Sequence, residues 1–534
     1  MLLFEWLRAD AQKHPDKPAA IFSGPSGVEG EDRISFAELD RRSDAVASFL
    51  QSRGIGPGDR VALLCDNTLP ALCWFWGTLK AGAATVDVPG LAGRSTIQAV
   101  LDEASPKAIC VDAAPANKHC VGESALTLPG LVLTTEPLVE SLAGPGPEHG
   151  QDREVVALET ILGAGGTPQP SAVAADDPAL IVYTSGTTGR PNGVTLSHKN
   201  FSSNLEAGNA LMGLTAEDSI LVVVPLHYIH GRMQLLWHAM IGGTIVFSAG
   251  FAFPQKVLLE LVEHKTTGFS GVPFHFKQLM DRSKMSKTPP EALRYVLITG
   301  GALPIEELKR LDEMLPQTGI HIAYGQTEAS PRITYIGPDE LFVKATDGKF
   351  SVGKALPGTT LEILGSDEQP VGPNEIGEVA AGGPNIMLGY VSGDHRELGK
   401  IDAQGRLRTG DLAYLDDDGH LYLAGRSSEM IKSAGERIFP QEIEAVLAAH
   451  PRVEEVAVIG IKDPTLGERI VAYICLTEGE PLEASALKAL CLESLPFVRV
   501  PKVFVFRDVP LPKTGSGKVS RGKLRKEAAE TPPA

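Results

Sequence analysis

Residues 183–194 read YTSGTTGRPNGV, five hydroxyl side chains and three glycines in twelve positions, directly after the apolar run ALIVY. A strand that delivers such a segment presents backbone N–H groups and hydroxyls to an anion, because glycine lets the backbone approach closely. Thr184, Ser185, Gly186, Thr187, Thr188 and Gly189 are therefore the first candidates for holding phosphate oxygens. The G-x-x-x-x-G-K-[ST] pattern is absent, so this is not a Walker loop.

Three further stretches carry chemistry. AYGQTEAS (323–330) follows another apolar run. Tyr324 can stack on a purine, and Glu328 can offer a carboxylate to Mg2+, which prefers carboxylate and phosphate oxygens. In RLRTGDLAYLDDDGHLYLAGR (406–426), Asp411 lies in a Thr-Gly-Asp turn and Arg426 follows a short strand. A carboxylate accepts hydrogen bonds from a ribose diol, and an arginine can back it up. The DDDG run at 416–419 reads as a solvated hairpin turn rather than a metal site. Near the end, PKTGSGKVSR places Lys518 in a Gly-Ser-Gly-Lys loop; here too the Walker pattern fails.

These segments need a scaffold. The 534 residues exceed one compact core, so two or more domains are expected. Hydrophobic residues make up 43% and charged residues 22%, an ordinary globular balance, and the net charge of −17 argues against a nucleic-acid binder. It also means that a bound polyphosphate needs local cations or a metal. The six cysteines form no C-x-x-C pair, which points to a reducing compartment. No signal peptide is read in MLLFEWLRAD, and no uninterrupted apolar run is long enough for a membrane span, so a cytoplasmic location is expected. From about residue 60 to 330, short β-type runs (RVALLC, KAIC, ALIVY, SILVVVP, GTIVF, YVLITG, IHIAYG) alternate with helical segments, the pattern of an α/β layered architecture. Residues 113–178 show little periodicity and read as irregular excursions. After residue 350 the texture becomes β-rich. A small α+β unit follows, with a helix at FPQEIEAVLAAHP and strands at VEEVAVIGI, GERIVAYICL and KVFVFRDVP. The boundary is expected at GRSSEMIK (425–432), giving domains 1–427 and 428–534.

The order and spacing of the motifs, from ISFAELDRRSDAVASFL and LKAGAA to PKTGSGKVSR, resemble the adenylate-forming superfamily of acyl- and aryl-CoA synthetases, peptide-synthetase adenylation domains and luciferases. The resemblance spans nearly the whole chain. It implies an α/β fold: a large N-terminal domain of layered sheets and helices with a β-rich subdomain, and a small mobile C-terminal α+β domain. It implies that a carboxylate attacks the α-phosphate of ATP, that pyrophosphate leaves, and that a thiol then takes the acyl group and expels AMP. Thr184 to Gly189 would hold the β- and γ-phosphates. Tyr324 with Gly325 would meet adenine beside Gly300, Gly301 and Ala302, Thr327 would touch the α-phosphate, and Glu328 would hold Mg2+. Asp411 and Arg426 would fix the ribose. Lys518 would bridge the carboxylate and the α-phosphate, and Gly435 in SAGERI would line the approach of the thiol.

Three departures stand out. Asn192 replaces the usual lysine of the phosphate loop, with Arg190 or Lys199 as candidate substitutes. Ser428 stands where the hinge is commonly aspartate. PLHYIHG (225–231) carries His227 then Tyr228, where many relatives show an aromatic residue followed by histidine. No aspartate follows PL to pair an ammonium, so an α-amino acid is disfavoured. His227, Tyr228, Gly271, Val272 and Gly300 match acyl-pocket positions, and the small residues suit a medium to long aliphatic acid. No carrier domain follows Lys518, so a free-standing enzyme is expected, and the acceptor ranks as coenzyme A ahead of a separate acyl carrier protein. Two other classes stay in view, a nucleotide binder without turnover and a luciferase-like oxygenase.

Overall fold

The computed structural model describes residues 1–30, 32–121, 125–135, 138–142, 153–185, 191–346, 349–393, 400–434, 436–477, 479, 482–513 and 519–530. The chain divides into two compact units, Met1–Leu361 with Ala381–Arg408, and Glu362–Ala380 with Thr409–Ala534.

The first unit holds two large sheets. One has eight strands in the order Gly389–Tyr390, Pro191–Ser197, Pro178–Ser185, Ala84–Asp87, Arg60–Leu64, Ala108–Val111, Leu131–Thr134 and Glu154–Ala157. The other has nine, with a parallel centre of Gly319–Tyr324, Tyr295–Thr299, Gly268–Gly271, Ser219–Val222 and Thr244–Phe247. The seven expected strand runs between residues 60 and 330 all pair in these sheets. Their continuous apolar character follows from burial on both faces. The stretch 113–178 departs from its reading as irregular: Leu131–Thr134 and Glu154–Ala157 extend the eight-stranded sheet in parallel. Four-residue strands are too short to show a period, so only the pairing reveals them.

Local signals explain the helices around these sheets. Ser35 caps the helix Phe36–Ser52 by accepting from the Glu38 amide at 3.3 Å. Thr68 does the same for Leu69–Ala81, where Pro70 fills the first turn. Every residue of that second helix is buried, including Lys80 of the LKAGAA motif. Its ammonium is satisfied by Asp40 at 2.5 Å and Asp44 at 2.8 Å on the preceding helix, so this lysine is a structural clamp.

One buried ion pair links the two sheets of this unit. Arg232, in the helix Ile229–Ile241, donates to Asp87 at the end of Ala84–Asp87, with Nε at 2.9 Å from Oδ2 and Nη2 at 2.5 Å from Oδ1. The guanidinium also lies 4.1 Å over the Phe75 ring. Removing one partner strands the other charge in the interior.

The second unit has a four-stranded sheet in the order Thr360–Leu364, Gly377–Gly382, Leu407–Leu415, Leu421–Arg426, and a five-stranded sheet built on the long hairpin Val453–Asp463 and Gly467–Leu476. The helices Pro440–Ala448 and Ala484–Ser494 and the strand Val503–Arg507 match the expected α+β unit. Among the described residues no helix is long and apolar enough to cross a membrane. All six cysteines carry free thiols.

Asp87→Ala should lower unfolding free energy by about 3–5 kcal/mol, measured by denaturant titration, because Arg232 would be left buried without its carboxylate. A joint apolar replacement of Asp87 and Arg232 should recover most of that loss.

Candidate active site

The phosphate-loop candidate is the tip of a hairpin. Pro178–Ser185 and Pro191–Ser197 pair antiparallel, with Thr184 opposite Asn192 and Ser185 opposite Pro191. Gly186, Thr187, Thr188, Gly189 and Arg190 lie outside the described residues. Thr184 Oγ1 donates to the Asn192 carbonyl at 3.5 Å, so Asn192 is the first half of a strand rather than part of the loop tip. Lys199 stands seven residues further on, in the helix His198–Met212, where it pairs with Asp176 at 3.2 Å. The five strand steps from Asn192 to Ser197 already span roughly 16 Å, and Lys199 is committed to Asp176, so it does not sit beside position 192.

Glu328 sits beside this hairpin. The strand Gly319–Tyr324 ends in Tyr324, and the chain turns sharply into a short 3-10 helix, Thr327–Ala329. Gly325 permits the turn: a Cβ there would fall 2.1 Å from the Pro331 carbonyl oxygen. Glu328 is 7% exposed. Its Oε1 accepts from the Tyr390 hydroxyl at 2.8 Å, and its carbonyl accepts from the Met387 amide at 2.9 Å. Tyr390 in turn pairs with Val194 of the hairpin. Burial and the neighbouring carboxylate hold the Tyr390 phenol in its protonated, donating form. Glu328 Oε2 has no hydrogen-bond partner among the described residues. A buried carboxylate with one oxygen anchored and one free has the donor chemistry of a Mg2+ ligand. Tyr390 was not foreseen from sequence, since its partner lies 62 residues away.

The predicted acyl-pocket residues gather at the carboxyl ends of the parallel strands, where open α/β sheets bind ligands. Gly271 ends Gly268–Gly271, and Val272 caps the helix Pro273–Arg282. Gly271 leaves room for His275: a Cβ there would lie 3.0 Å from His275 Nδ1. Gly300, Gly301 and Ala302 follow the adjacent strand Tyr295–Thr299 and are exposed. His227 and Tyr228 precede the helix Ile229–Ile241, with ring centroids 4.3 Å apart. Burial, with Arg232 second, pushes the His227 imidazole down to about 4, so it is neutral at physiological pH. The loop that carries them is gripped by Asn67, whose amide donates to the Val224 carbonyl at 3.0 Å and accepts from the Leu226 amide at 2.8 Å. Asn67 was missed because nothing local to it signals a distant loop.

In the second unit, Asp411 and Arg426 are a direct cross-strand pair. Asp411 lies within the strand Leu407–Leu415 rather than in a turn, and Arg426 is the last residue of Leu421–Arg426. Arg426 Nε lies 2.9 Å from Asp411 Oδ1. The arginine side chain is 50% exposed, so the pair adds little stability. It does fix a carboxylate that can accept from a diol. The DDDG run forms a self-bonded turn: Asp416 Oδ1 accepts from the amides of Asp418 and His420 at 3.0 and 2.8 Å. Lys518 and Gly435 lie outside the described residues. The loop that carries Lys518 is closed at its base by an antiparallel Lys513–Val519 bridge and a 2.7 Å bond from the Ser520 amide to the Pro512 carbonyl.

Comparison with known proteins defines the class. The AMP-binding enzyme profile matches residues 7–391, and that of the AMP-binding enzyme C-terminal domain matches residues 442–518. The 2-succinylbenzoate–CoA ligase of Bacillus licheniformis is 31% identical, with 97% of this chain and 98% of that protein aligned. A long-chain-fatty-acid–CoA ligase of Salmonella typhimurium is 29% identical over 98% of this chain and 94% of its own. The o-succinylbenzoate coenzyme A synthetase of Bacillus subtilis, solved in complex with ATP and magnesium ion, superimposes with a TM-score of 0.80 at 27% identity, covering 97% of this chain and 99% of that one. The chain belongs to the AMP-binding enzyme family, the adenylate-forming superfamily that its motif order resembles. Within it, the chain is an AMP-forming acid–thiol ligase of the acyl-CoA synthetase type.

Two outcomes follow. Asp411→Ala should raise the KM for ATP about tenfold, equivalent to about 1.4 kcal/mol of lost binding, in steady-state kinetics. Asn192→Lys should lower the KM for ATP or raise the adenylation rate by adding a cation beside the hairpin tip; unchanged values of both would mean that Arg190 already supplies that charge.

Proposed function

We propose that this protein activates a carboxylic acid, aliphatic and of medium to long chain, to its acyl-adenylate and transfers the acyl group to coenzyme A. The observation that supports it best is the 2.8 Å Tyr390–Glu328 bond, which ties a buried carboxylate to the hairpin bearing the hydroxyl-rich segment. The relatives named as CoA ligases favour coenzyme A over a carrier protein.

In this reading Thr184 to Gly189 hold the β- and γ-phosphates, and Tyr324, Gly325, Gly301 and Ala302 border the adenine. Asp411 and Arg426 bind the ribose. Glu328 would hold Mg2+, which supplies positive charge against the phosphates. Thr327 contacts the α-phosphate. Lys518 neutralises both the attacking carboxylate and the α-phosphate, two anions whose approach dominates the barrier. The acid's oxygen attacks phosphorus, the bond to the pyrophosphate oxygen breaks, and the pyrophosphate departs. In the second step the thiolate attacks the acyl carbonyl and AMP leaves, with Gly435 at the thiol's approach. Residues 1–427 would bind ATP and acid, and 428–534 would deliver Lys518. Ser428, at the hinge position, is exposed.

Lys518→Ala should lower acid-dependent pyrophosphate exchange into ATP by about 10²–10³ while leaving the thermal unfolding profile intact. Normal exchange in that variant would remove Lys518 from the chemistry. A panel of acids assayed for pyrophosphate release with and without coenzyme A should show acyl-CoA formed only in its presence.

A further inference from the structure

The acyl end of the site is not plain hydrocarbon. His230, in the first turn of Ile229–Ile241, is half-buried, and its Nε2 lies 2.8 Å from Ser270 Oγ. Ser270 spends its own proton on the Leu297 carbonyl at 3.0 Å. Its oxygen must therefore accept from His230, which assigns the proton to Nε2 and leaves Nδ1 with a lone pair. Burial, then His275, then Arg332 oppose protonation, pushing His230 down to about 3, so that lone pair stays available.

His275 has the complementary tautomer. Its Nδ1 accepts from the Val272 amide at 3.4 Å, so the proton sits on Nε2, which is a donor. Its ring packs 4.4 Å from Phe251, and burial pushes it down to about 4. Neither His230 Nδ1 nor His275 Nε2 has a partner among the described residues. Close by in the chain, His227 Nε2 is fully buried without a partner. The Tyr228 hydroxyl has none either among the described residues.

A pure alkyl or aryl tail in this pocket would seal these groups from water unpaired, at about 1–3 kcal/mol each. A carboxylate only accepts and an ammonium only donates, so neither satisfies a neutral acceptor and a neutral donor together. The two rings lie close enough for His275 to act electrostatically on His230, and a hydroxyl is a group that can both donate to His230 Nδ1 and accept from His275 Nε2–H. We infer that the acid activated here is a hydroxy acid, its hydroxyl carried on the acyl chain away from the carboxylate and held between His230 and His275. This rests on the acid-activating function proposed above and narrows its substrate.

The test is carboxylate-dependent pyrophosphate exchange into ATP with matched pairs of acids, each pair sharing a carbon skeleton and differing by one chain hydroxyl at successive positions. For at least one position, the hydroxy acid should exceed its plain partner in kcat/KM by about tenfold or more, as sites built to bond a hydroxyl reject analogues lacking it. His230→Phe and His275→Phe should each bring that ratio toward one. A plain acid that equals or beats its hydroxy partner at every position in the unmutated protein overturns the inference. So does a preference that survives both substitutions. Exchange with none of the acids, plain or hydroxylated, would instead overturn the acid-activating function itself, and this inference with it.

Discussion

A carboxylate taken out of water must be given a donor, and Glu328 is given one by Tyr390. Much of the first unit's site follows from that requirement. To bring the phenol there, the short strand Gly389–Tyr390 pairs with Pro191–Ser197, the second arm of the hairpin whose tip carries the hydroxyl-rich segment. The same short strand follows Met387, whose amide holds the Glu328 carbonyl. Thus one hydrogen bond and one two-residue strand register a turn at the end of the nine-stranded sheet against a hairpin of the eight-stranded one. Gly325 is the steric condition for the turn itself.

The acidic chain also shows how cations are allocated. Lys80 and Arg232 are buried and neutralised by Asp40, Asp44 and Asp87; they hold helices and sheets together and are not offered to a ligand. Lys199 is committed to Asp176. In the function proposed above, with Asn192 in place of lysine on the hairpin, the electrostatic work of binding a polyphosphate would pass to backbone amides, to Arg190 and Lys518, and to the metal that Glu328 is suited to hold.

The parallel strands were legible because burial on both faces makes them continuous apolar runs, and the C-terminal α+β unit was legible from its alternating strands and proline-started helix. Leu131–Thr134 and Glu154–Ala157 were not, since four residues show no period and only their neighbours define them. Among the candidate residues, the positions of Tyr324 and Gly271 at strand ends and of Glu328 in the turn that follows were readable from the apolar runs and glycines beside them. Asp411 was read in a turn and lies within a strand, a difference set by its pairing with Arg426. Tyr390 and Asn67 act across long separations in the chain, and no local pattern announces them. The tautomers of His230 and His275 depend on the Leu297 carbonyl and the Val272 amide, which composition cannot reveal.

The central claim is that a carboxylate oxygen is joined to the α-phosphate of ATP. The direct measurement is single-turnover reaction with an acid labelled with heavy oxygen in its carboxylate, followed by mass analysis of the products after thiol transfer. The account predicts one labelled oxygen in AMP and none in pyrophosphate. Unlabelled AMP, or label in the pyrophosphate or a phosphate product, would contradict it.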